Sequence, residues 1–256
     1  MIGICIPAHN EEDYIDRCLA SVLVAARHPG LNGEPVKIVV VLDACDDGTA
    51  QRAGAWGVTC LHGQHRNVGV ARAAGAAHLI AAGARWLAFT DADTEVSASW
   101  LADQLALQAE VVCGTVGVMD WDSHGMHAEA ARAGFLAAYQ DRDGHRHVHG
   151  ANLGMDAQAY LRIGGFQALA CSEDQALVDR FEEAGAVIAW SARPRVTTSA
   201  RAYSRVTGGF ATTLRRAWEG GMRSAVRDVH SELPGDVPGG ARSLEGPMDE
   251  VVCLSG

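Results

Sequence analysis

The sequence predicts an α/β fold, a doubly wound and mostly parallel sheet flanked by helices. Three observations predict it. Over the first hundred residues short apolar runs alternate with longer amphipathic ones, which is the rhythm of strands returned to a parallel sheet through helices. Polar loops follow those apolar runs at Pro7-Ala-His-Asn-Glu11, Asp43-Ala-Cys-Asp-Asp47 and Asp91-Ala-Asp93. A length of 256 residues with 48% apolar content is enough to bury a full core.

Taken in order, Ile2–Pro7 reads as a buried strand, and Glu11–Arg27 as a helix introduced by the turn residue Asn10. Val36–Leu42 is a second strand, and Asp47–Trp56 a helix with acidic residues in its first turn. Val58–Leu61 is a third strand, Val68–Ala82 an alanine-rich helix, and Arg85–Thr90 a fourth strand. The second half is less regular. Val111–Val118 reads as a strand and Glu129–Gln140 as a helix; His147–Leu153 is a further candidate strand, followed by a short helix over Ala157–Ile163. Glu173–Glu183 is a helix, Val187–Trp190 a strand and Ala211–Asp228 a final helix. From Ser231 the chain is rich in Pro, Gly and acidic residues without periodicity, which predicts a flexible tail over 231–256. The expected organisation is a first half over 1–110, a second over 111–230, and that tail.

Composition excludes several chemistries. A net charge of -10 opposes a nucleic-acid partner. Lys37 is the only lysine and it enters an apolar strand, so neither a Walker-type phosphate loop nor Schiff-base chemistry is available. No GxGxxG follows the first strand, which argues against a dinucleotide oxidoreductase. Seven cysteines without a repeated CxxC pair read as reduced thiols, and no apolar run reaches membrane-spanning length. A cytoplasmic protein is expected.

In a doubly wound sheet, ligands bind outside the carboxyl ends of the strands. Asp91-Ala-Asp93 stands at such an end, where two carboxylates can offer hard oxygen ligands to manganese or magnesium. Taken alone, the pattern serves equally well to cap the helix containing Trp100. Asp43 ends an apolar run and can accept hydrogen bonds from a nucleobase, whereas Asp46 and Asp47 read better as helix caps. Arg72 offers a planar fork suited to a base or phosphate. His145-Arg-His147-Val-His149 would put three imidazoles on one face of a strand, a zinc site only if other ligands completed it; a place on the acceptor side is the stronger reading.

Read in order, these motifs resemble the family 2 glycosyltransferases of GT-A fold. The match runs through Pro7-Ala8-His9-Asn10-Glu11, Val40–Thr49, Asn67-x-Gly69-x-Ala71-Arg72-x-x-Gly75 and Asp91-Ala-Asp93. It continues through Gly150-Ala151-Asn152, Gly164-Gly165-Phe166 and Ser172-Glu173-Asp174, covering roughly residues 1–200. The resemblance implies an inverting transfer from a nucleotide-diphosphate sugar, with a UDP-sugar as the prior, to an acceptor hydroxyl on a small molecule, glycan or lipid-linked molecule. It implies that Pro7, Ala8, Glu11, Asp43, Arg72 and Asp91 hold the nucleotide, and that Asp93 ligates Mn2+ or Mg2+. It further implies Asp174 as general base, with Asn152, Gly165, Phe166 and Glu173 shaping the sugar and acceptor pocket. A homodimer is left open.

Three departures accompany the resemblance. Leu42 stands where many relatives carry aspartate, and Cys45 where they carry serine. The histidine many relatives place after the last strand is missing from Val196–Arg201, which puts a third metal ligand in doubt. Ser199, Arg201 and Arg205 are alternative partners for the diphosphate. The nearest rival, a sugar nucleotidyltransferase, needs a glycine-rich basic loop after strand one; the loop here is acidic and glycine-free. A non-catalytic nucleotide-sugar-binding protein is the other alternative.

Overall fold

The computed structural model describes residues 1–200. The expected helix over 211–228, Arg201, Arg205 and the tail over 231–256 lie outside the described residues.

Eight strands form one sheet: β1 (Ile2–Ala8), β2 (Val36–Asp43), β3 (Thr59–Gly63), β4 (Trp86–Phe89), β5 (Thr94–Val96), β6 (Val111–Met119), β7 (Leu153–Asp156) and β8 (Ile188–Ser199). Their order is β3-β2-β1-β4-β7-β6-β8-β5. The strands β1 to β4 are mutually parallel, β7 runs against both β4 and β6, and β5 runs against β8. Six of the eight strands therefore point one way, and the expected mostly parallel, GT-A-like α/β sheet is the observed one.

Among the described residues seven α-helices accompany it: α1 (Ile15–Ala25), α2 (Thr49–Ala55), α3 (Val68–Ala81), α4 (Trp100–Ala106), α5 (Ala128–Ala138), α6 (Ala157–Arg162) and α7 (Glu173–Glu183). Because successive side chains of a strand point to opposite faces, β1 feeds two apolar layers. Ile2, Ile4 and Ile6 pack with Leu19 and Val22 of α1 and Trp100 of α4. Cys5 packs on the other face with Leu79 of α3 and Leu177 and Phe181 of α7.

Chain contacts divide the protein into two units. One comprises Met1–Asp120 with Gln140–Ser199 and carries the whole sheet. The other takes in Trp121–Tyr139, where Trp121 and Phe135 lie 5.9 Å apart and Phe135 stacks on Tyr139 at 4.7 Å. Among the described residues no helix is long and apolar enough to cross a membrane. Cys5, Cys18, Cys45, Cys60 and Cys113 carry free thiols, but Cys171 is disulfide-bonded, which corrects the expectation of reduced thiols throughout.

Three local expectations are corrected. The first helix begins at Ile15 rather than Glu11. The amide of Glu11 donates to Thr49 Oγ1 (2.7 Å) and that of Glu12 to Asp47 Oδ2 (3.1 Å), so these residues are bound into the loop after β2. The strand expected over 147–153 begins only at Leu153, after a 3-10 turn over Gly150–Asn152. Before that turn the His147 amide donates locally to His145 Nδ1 (3.1 Å) rather than to a neighbouring strand. Finally, Asp93 caps no helix: Thr94–Val96 form strand β5 against β8, and α4 starts only at Trp100.

Candidate functional site

One edge of the sheet collects the carboxyl ends of β1, β2, β4 and β8 and the entry into antiparallel β7. Of the sequence-predicted residues, Asp91, Asp93, Asp174 and Ser199 stay partly exposed there.

Asp93 accepts a hydrogen bond from Ser199 Oγ (2.8 Å), with Thr198 Oγ1 at 3.4 Å. The pairing of β5 with β8 creates this contact, because it sets Thr94 opposite Thr198. The donors around Asp93 are thus a carboxylate and hydroxyls, hard oxygens of the kind manganese and magnesium prefer. No group of three or more His, Cys, Asp or Glu residues suited to a metal occurs among the described residues. A cleft adjoins Asp93, lined in part by Tyr14, Arg17, Glu95, Asp120 and Ser199. Sequence reading passed over the first four. Tyr14 and Arg17, three residues apart, and Glu95, two beyond Asp93, carry the spacing that would have flagged them.

Asp174 lies in the first turn of α7, and its Oδ2 accepts from the amide of Gly150 (2.8 Å). Ser172 sits at the cap position with φ of 56° and makes no side-chain cap bond. The three histidines before Gly150 stack in sequence, His145 on His147 at 5.6 Å and His147 on His149 at 5.9 Å. The expected facing is therefore present without a strand. Burial holds His149 down to about 4, against the pull of Asp174.

The loops after β1 and β2 are fastened together. Asn10, at φ 56°, donates to the Asp46 carboxylate and accepts from the Asp46 amide (2.9 Å). Glu12 accepts from the Gly48 amide (2.8 Å), and Asp47 accepts from Thr49. Pro7 and Ala8 are the buried last residues of β1, and Glu11 is buried beside them. Cys45, standing in place of a serine, donates from its thiol to the Ala8 carbonyl (3.3 Å) as a hydroxyl would. Asp43 is buried, and its two oxygens accept from the amides of His65 (2.6 Å) and Asn67 (2.9 Å). It thereby fastens the loop between β3 and α3, work that its position at a strand end did not disclose.

Five residues expected to meet ligands are buried. Arg72 is 3% exposed; one arm donates to Asp91 Oδ1 (2.6 Å) and the other to Glu173. Its fork is engaged by the protein and does not face a base or phosphate. Burial raises the carboxyl of Glu173 above its usual range against the pull of Arg72, and that of Asp91 likewise. Glu173 is accordingly the buried partner of Arg72 and not a pocket residue. Asn152 is wholly buried: its Nδ2 donates to the carbonyls of Thr115 (2.8 Å) and Pro194 (2.9 Å), and its Oδ1 accepts from Trp100 Nε1 (2.9 Å). It seals the register shift where β6 and β8 slip past one another after Gly114. Phe166 packs edge-on to Phe89 (5.1 Å) under the Arg72 guanidinium, and buried Gly165 accepts from Arg180 (2.6 Å).

The family model for Glycosyl transferase family 2 matches residues 3–164. The chain belongs to glycosyl transferase family 2. No curated protein matches it. Solved structures similar to this family 2 chain include Staphylococcus aureus TarS 1–349 in complex with UDP-GlcNAc: TM-score 0.61, 16% identity, 91% of this chain and 68% of that one. The mannosyltransferase PcManGT of Pyrobaculum calidifontis, in complex with GDP-Man and Mn2+, aligns at TM-score 0.59 and 18% identity over 93% of this chain and 65% of that one. GalNAc-T7 with UDP, GalNAc and Mn2+ aligns at 0.58 and 16% over 92% and 52%. The family 2 chain spans 36% of the longer TarS chain and 60% of the 1–349 form. At these identities the likeness concerns the fold.

Proposed function

We propose that this family 2 chain transfers a sugar from a nucleoside-diphosphate donor to an acceptor hydroxyl by direct displacement, inverting the anomeric carbon. The observation that carries the reading is that Asp93 and Asp174, from opposite halves of the chain, both lie close enough to Asp91 to act on its carboxyl, and that all three carboxylates are partly exposed. Residues 1–110 are the donor half and residues 111–230 the acceptor half. The loop over Pro7–Glu11, fastened to Asp46 and Asp47, cradles the base, with UDP as the first candidate. TarS solved with UDP-GlcNAc supports that choice, and PcManGT with GDP-Man keeps guanosine as the comparison. Asp91 meets the ribose. Asp93, with the hydroxyls of Thr198 and Ser199, would hold Mn2+ or Mg2+, and the Mn2+ in two similar structures supports this. When bound, such an ion offsets charge on the departing diphosphate. Asp174, oriented by the Gly150 amide, removes the acceptor hydroxyl's proton as general base. A cytoplasmic setting belongs to the same proposal.

A thermal-shift panel of UDP, GDP and their sugars, with and without MnCl2, tests the proposal. A nucleotide at about a hundred times its dissociation constant stabilises the protein by roughly 2.7 kcal/mol. The expected result is a manganese-dependent rise in melting temperature with one base preferred. No rise with any member of the panel would overturn it.

A further inference from the structure

We infer that Arg72 is a positioning residue that couples the donor side of the site to the acceptor side. This inference rests on the roles proposed above for Asp91 and Asp174. Three segments far apart in the chain meet on its guanidinium: α3 supplies Arg72, the loop after β4 supplies Asp91, and the start of α7 supplies Glu173. The cluster is dry, since Arg72 is 3% and Glu173 5% exposed. The guanidinium lies 5.7 Å from the Phe166 ring centroid, and among the described residues its buried Nε has no hydrogen-bond partner. The hydrogen bonds that set the rotation of the fork are therefore those to the two carboxylates.

The same guanidinium occupies the space that a side chain at residue 150 would need; any Cβ on Gly150 would collide with it. Gly150 is also the residue whose amide holds Asp174 Oδ2 (2.8 Å). Asp91, Arg72, Gly150 and Asp174 are thus one contiguous packed and hydrogen-bonded set, with Glu173 anchoring the fork from the helix that carries Asp174. One cation also faces two carboxylates, so any ligand that withdraws charge from Asp91 changes the hold of Arg72 on Glu173. By linkage, a change at Glu173 must alter the affinity of whatever binds at Asp91. A lysine ammonium has no fork to bridge the two acids.

Titration calorimetry with UDP and with GDP, each with MnCl2, tests the inference on the parent, Glu173→Gln, Arg72→Lys and the double variant. Glu173→Gln is expected to weaken nucleotide binding about fivefold or more, the lower end of typical inter-site couplings. In the Arg72→Lys background the same change should have little further effect. Gly150→Ala, whose methyl intrudes on the guanidinium, is the second perturbation: its loss in affinity should be less than additive with that of Glu173→Gln. Unchanged affinity in Glu173→Gln would overturn the coupling, as would an undiminished effect in the Arg72→Lys background or strictly additive losses with Gly150→Ala. If the parent binds neither nucleotide, the donor reading falls and the coupling with it; if the parent binds and Glu173→Gln binds equally, the coupling alone falls.

Discussion

At the scale of single residues, the chemistry divides by exposure rather than by type. Asp93 and Asp174 are expected to act on ligands. Asp93→Ala should remove the manganese-dependent part of nucleotide binding while leaving the fold intact; equal manganese-dependent affinity in calorimetry would refute the ligand role. Asp174→Asn keeps the side chain's size and an oxygen for the Gly150 amide. Turnover should fall about 10²-fold or more with donor affinity little changed, because general-base catalysis typically contributes that much. Near-normal turnover would mean that the proton leaves by another route. Asn152 makes the opposite case. It satisfies two backbone carbonyls and the Trp100 indole in a dry core, and each buried group left unpaired costs about 1–3 kcal/mol. Asn152→Ala is expected to lower stability in urea by on the order of 3 kcal/mol. A variant as stable as the parent but defective in sugar transfer would restore Asn152 to the pocket.

At the scale of elements, the legible ones carried their own periodicity. Helix α7 runs over Glu173–Glu183 as its pattern predicts, and β1, β2, β4 and α3 fall within two residues of their expected ends. Elements whose form depends on distant partners were not legible. The three-residue β5 exists only because β8 pairs with it, and β8 continues to Ser199 only because β6 and β5 flank it. The glycines of the Asn67–Gly75 motif make the same point. Gly75 of α3 lies where a Cβ would strike Cys5 Sγ, with Val41 beyond, so it sets how closely the helix approaches β1 and β2. Gly75→Ala should destabilise by roughly 1–3 kcal/mol, the usual range for overpacking a tight core. Cys5→Ala in the same chain should restore part of the loss; a Gly75→Ala protein that melts with the parent would show that the layer yields freely.

At the scale of the whole molecule, burial of titrating groups links stability to pH. His149 is held near 4, below the ordinary 6.5. Between those values the unfolded chain binds a proton that the native state refuses, so this group's contribution falls as pH drops from about 6.5 toward 4. Urea midpoints measured across that window should decline, and His149→Gln should flatten the decline; an identical slope in the variant would show that other groups dominate. Local pattern by itself determined the class of fold, the order of its main strands and the edge where polar loops gather, because periodicity and strand–helix alternation are written in neighbouring residues. The same pattern presented Arg72, Asn152, Phe166 and Glu173 as residues that meet ligands. Only tertiary structure decided that they face inward, since whether a polar group reaches solvent depends on segments packed over it from elsewhere in the chain. For Arg72 those are Asp91 and Glu173, 19 and 101 residues away. A charged fork with both arms engaged in a dry core ties three distant segments together, and the carboxylates that stay partly exposed are the ones proposed to meet ligands.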